Sequence, residues 1–432
     1  MRPTLAGVRT FAPMLRLRTT FRSLRNRNYR LFWFGQLVSV AGSWMQDIAL
    51  GWLVLTLHNS PMDLGLTMAI RFLPALLFSL HGGVLADRLR KRQTIIVSES
   101  TQLLIALALA VLTSTNMVTL SLIYVFVGVR GFVDAIEGPT RQAFVSEMVG
   151  TEDLPNAVAL NTTLFNSARI IGPALGAGVL AIFGRGTQGY AVCFYLNAAS
   201  FAAVIGALFA MRKRELHLQP RLPREGSWRQ LREGLRYARN TPSVVVMLIV
   251  MGFLGAFGFN FMTIIPLVAK FVLNAGSPTY ALLTAIMAVG SVVAGLLVAN
   301  RSRPTQRLML ISATCFTVLL GLVGISRWTA VSAVLFFAIG FTGVLTMTSV
   351  NTRLQLETPP ELRGRVMGMY IVLFIGTTPI GSYLIGVLAK YAQVRPTVLI
   401  MAGLCAAGVI WGSLYALRSS SGSDQGVAPA SF

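Results

Sequence analysis

Six ionisable side chains stand inside stretches that are otherwise apolar: Asp47, Arg71, Arg130, Asp134, Glu137 and Arg169. Each lies in a run long enough to cross a bilayer. An unpaired charge there is costly, so each is a candidate for function. Asp47 falls about ten residues inside the outer end of the first run, and Arg71 about eight inside that of the second. At about 1.5 Å per residue the two depths agree to within roughly 3 Å, which predicts a facing pair or a shared polar cavity. Two chemistries fit. One is a fixed structural ion pair. The other is a carboxylate that accepts a proton or a substrate group as its partner moves. An Asp held beside an Arg is a poor proton carrier, so both stay open.

Arg130, Asp134 and Glu137 recur at i, i+4 and i+7 and share one helical face. Asp134 can neutralise Arg130 or exchange partners with it. Glu137 lies near the inner end, close to the expected level of Arg88. Arg169 sits near mid-depth in the fifth run. A static charge network pinning the fourth and fifth runs is the competing account. His81 and Glu99 flank the turn between the second and third runs at similar depth, as a structural pair or a proton relay. Gln36, Trp44, Gln46, Asn260, Asn351 and Gln355, with Trp33, Phe257 and Phe261, are candidates to line a cavity for a bulky amphiphile; packing or lipid contact is the alternative.

The elements that must hold these residues follow from composition. The chain has 432 residues, of which 54% are hydrophobic and 12% charged. A soluble domain carries about 25% charged residues, so a membrane protein is the default class. Spans of roughly 20 apolar residues are expected near 31–57, 63–86, 94–114, 118–138, 157–183, 188–210, 243–266, 279–299, 307–326, 329–351, 366–389 and 396–417. The expected fold is therefore all-α, with twelve transmembrane helices. The formal charge of +22 would suit nucleic acid were it evenly placed, and it is not. Eight Arg precede the first span, nine basic residues lie between Arg212 and Arg239, and few fall in alternate loops. This positive-inside bias puts both termini in the cytoplasm and removes nucleic acid as a partner.

The start of the chain lacks the short apolar core and small-residue site of a cleaved signal peptide. Cys193, Cys315 and Cys405 occupy separate spans and are expected to be buried thiols; with three His, no metal site is expected. No cofactor is called for, and no G-x-x-x-x-G-K-[ST] loop occurs.

The polar stretch 211–242 divides the chain. The expected parts are a basic N-terminal segment 1–30, a six-helix bundle 31–210, the cytoplasmic loop 211–242, a second bundle 243–417 and a tail 418–432. Within the loop, Ser227 can cap a short amphipathic helix with basic residues on one face, suited to the inner leaflet or to solvent. The halves echo one another: Gly178-Val-Leu-Ala181 recurs as Gly386-Val-Leu-Ala389, and Leu154 matches Leu362. That pattern fits a duplicated fold.

Gly83, Leu85, Ala86, Asp87, Arg88, Lys91 and Arg92 follow the G-x-L-a-D-r-x-G-r-k loop pattern of the major facilitator superfamily, with Arg90 where the second Gly usually stands. Gly172-Pro173-Ala174-Leu175-Gly176 is similar to the G-P-x-x-G-G element of its antiporters and exporters. Phrases such as Gly42-Ser-Trp-Met-Gln46, Pro139-Thr-Arg-Gln-Ala-Phe144 and Leu362-Arg-Gly-Arg-Val-Met-Gly368 resemble the twelve-span exporter branch that includes enterobactin exporters and macrolide or multidrug efflux proteins. The resemblance implies two pseudo-symmetric six-helix bundles around a central cavity lined by spans one, four, seven and ten. It implies proton-coupled export of a small organic molecule from the inner membrane, with Arg130 in the place of the family's fourth-span Arg. Gly83, Asp87, Arg88, Lys91, Arg92 and Glu137 would form an inner latch. The expected partners are a small-molecule substrate, protons and lipid, and the expected state is a monomer. An uncoupled facilitator or importer, or a substrate-sensing membrane protein, is the alternative. No nucleophile–His–acid set falls at membrane depth, so an enzyme is not expected.

Overall fold

The computed structural model describes residues 21–184, 186–217, 227–299 and 304–423, with the backbone alone at 79–88, 227–231, 299 and 419–423. Every regular element among them is helical. We number the helices α1 (Arg27–His58), α2 (Pro61–Arg88), α3 (Lys91–Ser114), α4 and α5 (the two limbs of Leu120–Ile182), α6 (Thr187–Phe209), α7 (Ser227–Asn240), α8 (Pro242–Val272), α9 (Ser277–Ala299), α10 (Gln306–Ile325), α11 (Thr329–Glu357), α12 (Pro360–Ala392) and α13 (Val394–Ser423). Ten of the described helices are long and apolar enough to cross a bilayer.

The element Leu120–Ile182 has 63 residues. At about 1.5 Å per residue that is roughly three times the thickness of a hydrocarbon core, so it cannot be one span. It breaks at Gly150, whose φ of 71° belongs to the left-handed region that suits glycine. The polar loop expected between 138 and 157 is thus helical on both sides of a single residue. α8 is also interrupted: a π-turn at Leu254–Gly258 precedes a break at Phe259 and Asn260. α12 pauses between Phe374 and Thr378. At the end remote from the N-terminus, Asn59, Asn116 and Asn274 take positive φ and turn the chain after α1, α3 and α8. Asn tolerates that conformation better than most residues.

α1 is buried or half-buried at every residue from Ser39 through Leu55. The outer surface is apolar instead, with Ile182 78%, Leu296 71% and Val334 68% exposed. Side chains like these face hydrocarbon, so the bundle needs no polar coat at that level. Helices approach through glycine where side chains would keep them apart. A Cβ on Gly172 of α5 would lie 2.5 Å from the Ala41 carbonyl of α1, and one on Gly381 of α12 would overlap the Ala256 carbonyl of α8. Gly131 of α4 meets the Arg71 carbonyl, as Gly340 of α11 meets that of Met287. The offset from Gly131 to Gly340 equals that from Gly172 to Gly381, so the same close approaches recur in the second half of the chain.

The halves meet at the remote end. Gly65 of α2 and Gly386 of α12 are so close that a Cβ on Gly65 would lie 2.7 Å from the Gly386 Cα. Lys270 Nζ donates to the Leu55 carbonyl at 2.5 Å, and Trp52 stacks on Tyr280 at 6.2 Å. α7 docks on the second half: Tyr237 donates to the Glu357 carbonyl, and Arg365 pairs with Glu233. Leu235 on its surface is exposed. Cys193 and Cys405 are buried, but Cys315 is exposed, because its position on α10 points outward from the bundle.

Candidate functional site

Asp47 is the centre of the first charge cluster. Arg71 Nη1 donates to its Oδ1 at 2.7 Å, and Arg130 Nη1 donates to the same oxygen at 2.8 Å. The three side chains come from α1, α2 and α4, and each is at most 8% exposed. One carboxylate thus serves two buried guanidiniums. Asp134 adds a second negative charge one turn along α4, with Oδ2 4.0 Å from Arg130 Nε. Its side chain is 43% exposed and opens into a side cavity of about 350 Å³ that Asp47, Arg71 and Arg130 also line.

Glu137 does not join that cluster. It lies in a second network with Glu99 of α3 and Arg141, which the sequence marks only as part of the Pro139–Phe144 phrase. Arg141 Nη2 bonds both Glu137 and Glu99. Gln102 donates to Glu137 Oε2 at 2.7 Å, while Gln36 and Ser39 donate to Glu99 at 2.8 and 3.2 Å. Both carboxylates are buried completely or nearly so. The spacing from Glu137 to Arg141 is i, i+4, which is the signal that identifies the pair in sequence. The expected pairing of Glu99 with His81 lies outside the described side chains, and Glu99 has Gln36, Ser39 and Arg141 as partners.

Of the loop residues, the side chains of Gly83, Asp87 and Arg88 lie outside the described residues. Lys91 donates to Glu147 of α4 at 2.5 Å, and Arg92 donates to the Leu208 carbonyl at the end of α6 at 2.9 Å. These two contacts tie helices within the first half of the chain. Gly172, Pro173 and Gly176 are buried in α5 against α1, where Gly172 lets the backbones meet and Gly176 makes ordinary contact with Met45.

A central cavity of about 330 Å³ opens between the halves. Trp44 and Asp47 of α1, Arg169 of α5, Phe259 and Asn260 of α8, and Ser382 of α12 are among its walls. The break in α8 positions Asn260: its amide donates to the Ala256 carbonyl at 2.7 Å, and its oxygen accepts from Ser382 at 2.9 Å. Phe259 stacks on Phe316 with centroids 4.9 Å apart. Gln36 and Gln46 turn elsewhere: Gln36 holds Glu99, and Gln46 accepts from Asn197 of α6 at 2.7 Å. Asn351 and Gln355 bond each other on α11 and do not line this cavity. Ser382, Thr378 and Tyr280 do line it and were not singled out in the sequence, because single hydroxyls in apolar helices carry no pattern. Among the described residues no group of three or more His, Cys, Asp or Glu could hold a metal.

A helical membrane bundle with buried charge clusters beside a cavity between its halves is the architecture of a transporter of the major facilitator superfamily. The family model described as "transmembrane secretion effector" matches residues 18–429, and the chain belongs to that family. Its members are transporters, not enzymes. The chain is similar to the staphyloferrin A transporter of Staphylococcus aureus, 24% identical over 86% of this chain and 92% of that one. It is 26% identical to the multidrug efflux pump Tap of Mycolicibacterium fortuitum over 85% and 91% of the two chains. It is 24% identical to the enterobactin exporter EntS of Escherichia coli over 83% and 84%. Among solved structures, a bacterial homologue of the lysosomal transporter Spinster, inward-facing and occupied, superposes with a TM-score of 0.71 at 11% identity, covering 91% of this chain and 97% of that one. The nucleoside transporter NupG gives 0.67 at 14% identity over 90% and 98%.

Proposed function

We propose that this protein is a secondary active exporter of a small amphiphilic organic compound, driven by proton entry and working by alternating access. The observation that carries this reading is Asp47, shared by Arg71 and Arg130 at the wall of an aromatic cavity between the halves. The relatives that are siderophore and drug transporters support the substrate class, which takes in drugs, macrolides and siderophores.

The same reading has twelve spans in two bundles, 31–210 and 243–417, joined by 211–242, with both termini in the cytoplasm of a bacterial inner membrane and the chain acting as a monomer. The basic bias of alternate loops supports that orientation. The remote end, where Gly65 meets Gly386, is then the outer face, and substrate enters the cavity from the cytoplasm or inner leaflet. When helix movement draws Arg71 and Arg130 off Asp47, the freed carboxylate accepts the proton, and α2 and α4 are no longer held to α1. Asp134, one turn away, then takes over Arg130. The exchange biases the inward–outward equilibrium, because each state stabilises a different pairing. The loop from Gly83 to Arg92, with Asp87 at its centre, latches the inner side.

The test is transport in proteoliposomes under an imposed pH gradient, with a panel of siderophores and lipophilic drugs. Substrate movement should follow the gradient and collapse with an uncoupler. Flux indifferent to both overturns the antiport and leaves an uncoupled facilitator. Asp47→Asn should abolish coupled movement; if coupling survives it unchanged, Asp47 is structural and Asp134 is the site to test next.

A further inference from the structure

Arg169 is the cation of the central cavity that no carboxylate answers. The other arginines that line the two cavities have acidic partners: Arg71 and Arg130 have Asp47, and Arg141 has Glu99 and Glu137. Among the described residues no ion pair includes Arg169, and its buried Nε has no hydrogen-bond partner. Its guanidinium lies over the Trp44 ring, 5.6 Å from the centroid, and lines the central cavity. The ring face contributes modestly to holding a cation, less than a carboxylate would. Asp47 lines the same cavity but is already shared by Arg71 and Arg130. Asp47 and Arg169 are the charged residues on the wall of the central cavity; Arg141 lines the side cavity with Glu99 and Glu137 as its partners, so four arginines and four carboxylates balance across both networks, and Arg169 is the arginine left without a carboxylate.

We infer that the substrate carries an anionic group, a carboxylate or phenolate, and that Arg169 receives it. The ligand class is an amphiphilic organic anion. Its charged end lies at Arg169 and Trp44, and its apolar or aromatic body lies against Phe259 and the other rings of the second half. Three features support this class. The guanidinium is planar and donates in a fork that matches a carboxylate. Trp44 lies beside the guanidinium, 5.6 Å from ring centroid to Cζ, and limits where the side chain can swing, so less conformational freedom is lost when the ligand arrives. The opposite wall offers Asn260 and Ser382, which already satisfy each other at 2.9 Å and so present no competing charge. A cationic drug would meet the unanswered charge of Arg169, and Asp47 on the same wall is already held by two guanidiniums, so the cavity discriminates against cations at that point.

This inference rests on the transport function proposed above, but its test needs no gradient, so the two fail separately. The protein is placed in phosphatidylcholine nanodiscs, and three probes sharing one body are titrated: 1-pyrenebutyrate, 1-pyrenebutanol and 1-pyrenebutylamine. Binding is read by energy transfer from tryptophan. The butyrate should bind the wild type at least about tenfold more tightly than the alcohol, and the amine most weakly, as a charge-assisted contact in a partly dry site predicts. Arg169→Gln should erase the preference for butyrate while leaving the affinity for the alcohol within about twofold. Arg169→Lys should keep most of the preference. Arg236→Gln, on the exposed face of α7, controls for the overall positive charge and should change nothing. The alcohol affinity shows that each variant keeps its cavity. Equal affinity of the three probes for the wild type, no binding of butyrate, or a butyrate preference that survives Arg169→Gln overturns the assignment.

Discussion

Replacing Asp47 by Asn is the most severe single change the first charge cluster can suffer. The Asp47 Oδ1 accepts from Arg71 at 2.7 Å and from Arg130 at 2.8 Å, and all three side chains are at most 8% exposed. Removing one partner of a buried ion pair typically costs about 3–5 kcal/mol, because the other charge is left uncompensated. Here two guanidiniums lose the same counter-ion, so Asp47→Asn should sit at or above the top of that range. Arg71→Gln should cost less, on the order of 1–3 kcal/mol, since Asp47 keeps Arg130. The double variant should be less damaging than the sum of the two, by about 1–3 kcal/mol, because removing Arg71 takes away one of the stranded cations. Equilibrium unfolding in mixed micelles, followed by tryptophan fluorescence, measures all three. An Asp47→Asn protein within about 0.5 kcal/mol of wild type, or strict additivity in the double variant, would refute the shared-carboxylate account.

Gly381→Ala should abolish folded protein, because the new methyl overlaps the Ala256 carbonyl, whereas Gly178→Ala, with nothing within 4 Å of the added Cβ, should be neutral in yield and melting. Arg141→Gln should destabilise more than Glu99→Gln or Glu137→Gln, since it alone leaves two buried carboxylates facing each other; denaturant midpoints rank the three. Lys91→Gln should cost about 1–3 kcal/mol through its 2.5 Å contact with Glu147, and Glu147→Gln should add little to it in a double-mutant cycle. Asp87→Asn should slow conformational switching, read by distance changes between labelled helix ends, with substrate affinity unchanged; lost affinity with normal switching would sink the latch.

The helices were legible in the sequence because hydrocarbon demands long apolar runs and tolerates little else. Depth was legible too. Counting from the helix ends placed Asp47 level with Arg71, and the structure puts them 2.7 Å apart. Rotation about the helix axis was not legible, since a helix apolar on every side has no amphipathic stripe to orient it. That is why Gln36 and Gln46, plausible as cavity residues by type, turn to Glu99 and Asn197 instead. It is also why Arg141 went unassigned: its link to Glu99 of α3 depends on how α3 and α4 face each other. The break at Gly150 was hidden for another reason. Glycine is frequent in membrane helices, and its left-handed conformation leaves no mark in the spelling.

The contact of Gly65 with Gly386 would set how the two halves part in the alternating access proposed above. Where large side chains interlock, separation must reset many rotamers, and each step meets a barrier. Here main chain lies on main chain, so little interdigitation has to be undone. Such a seam acts as a smooth bearing: it resists compression through hard atomic contact but offers little resistance to rolling. A methyl on Gly65 would lie 2.5 Å from the Ser382 carbonyl and would force the two helices apart at this seam.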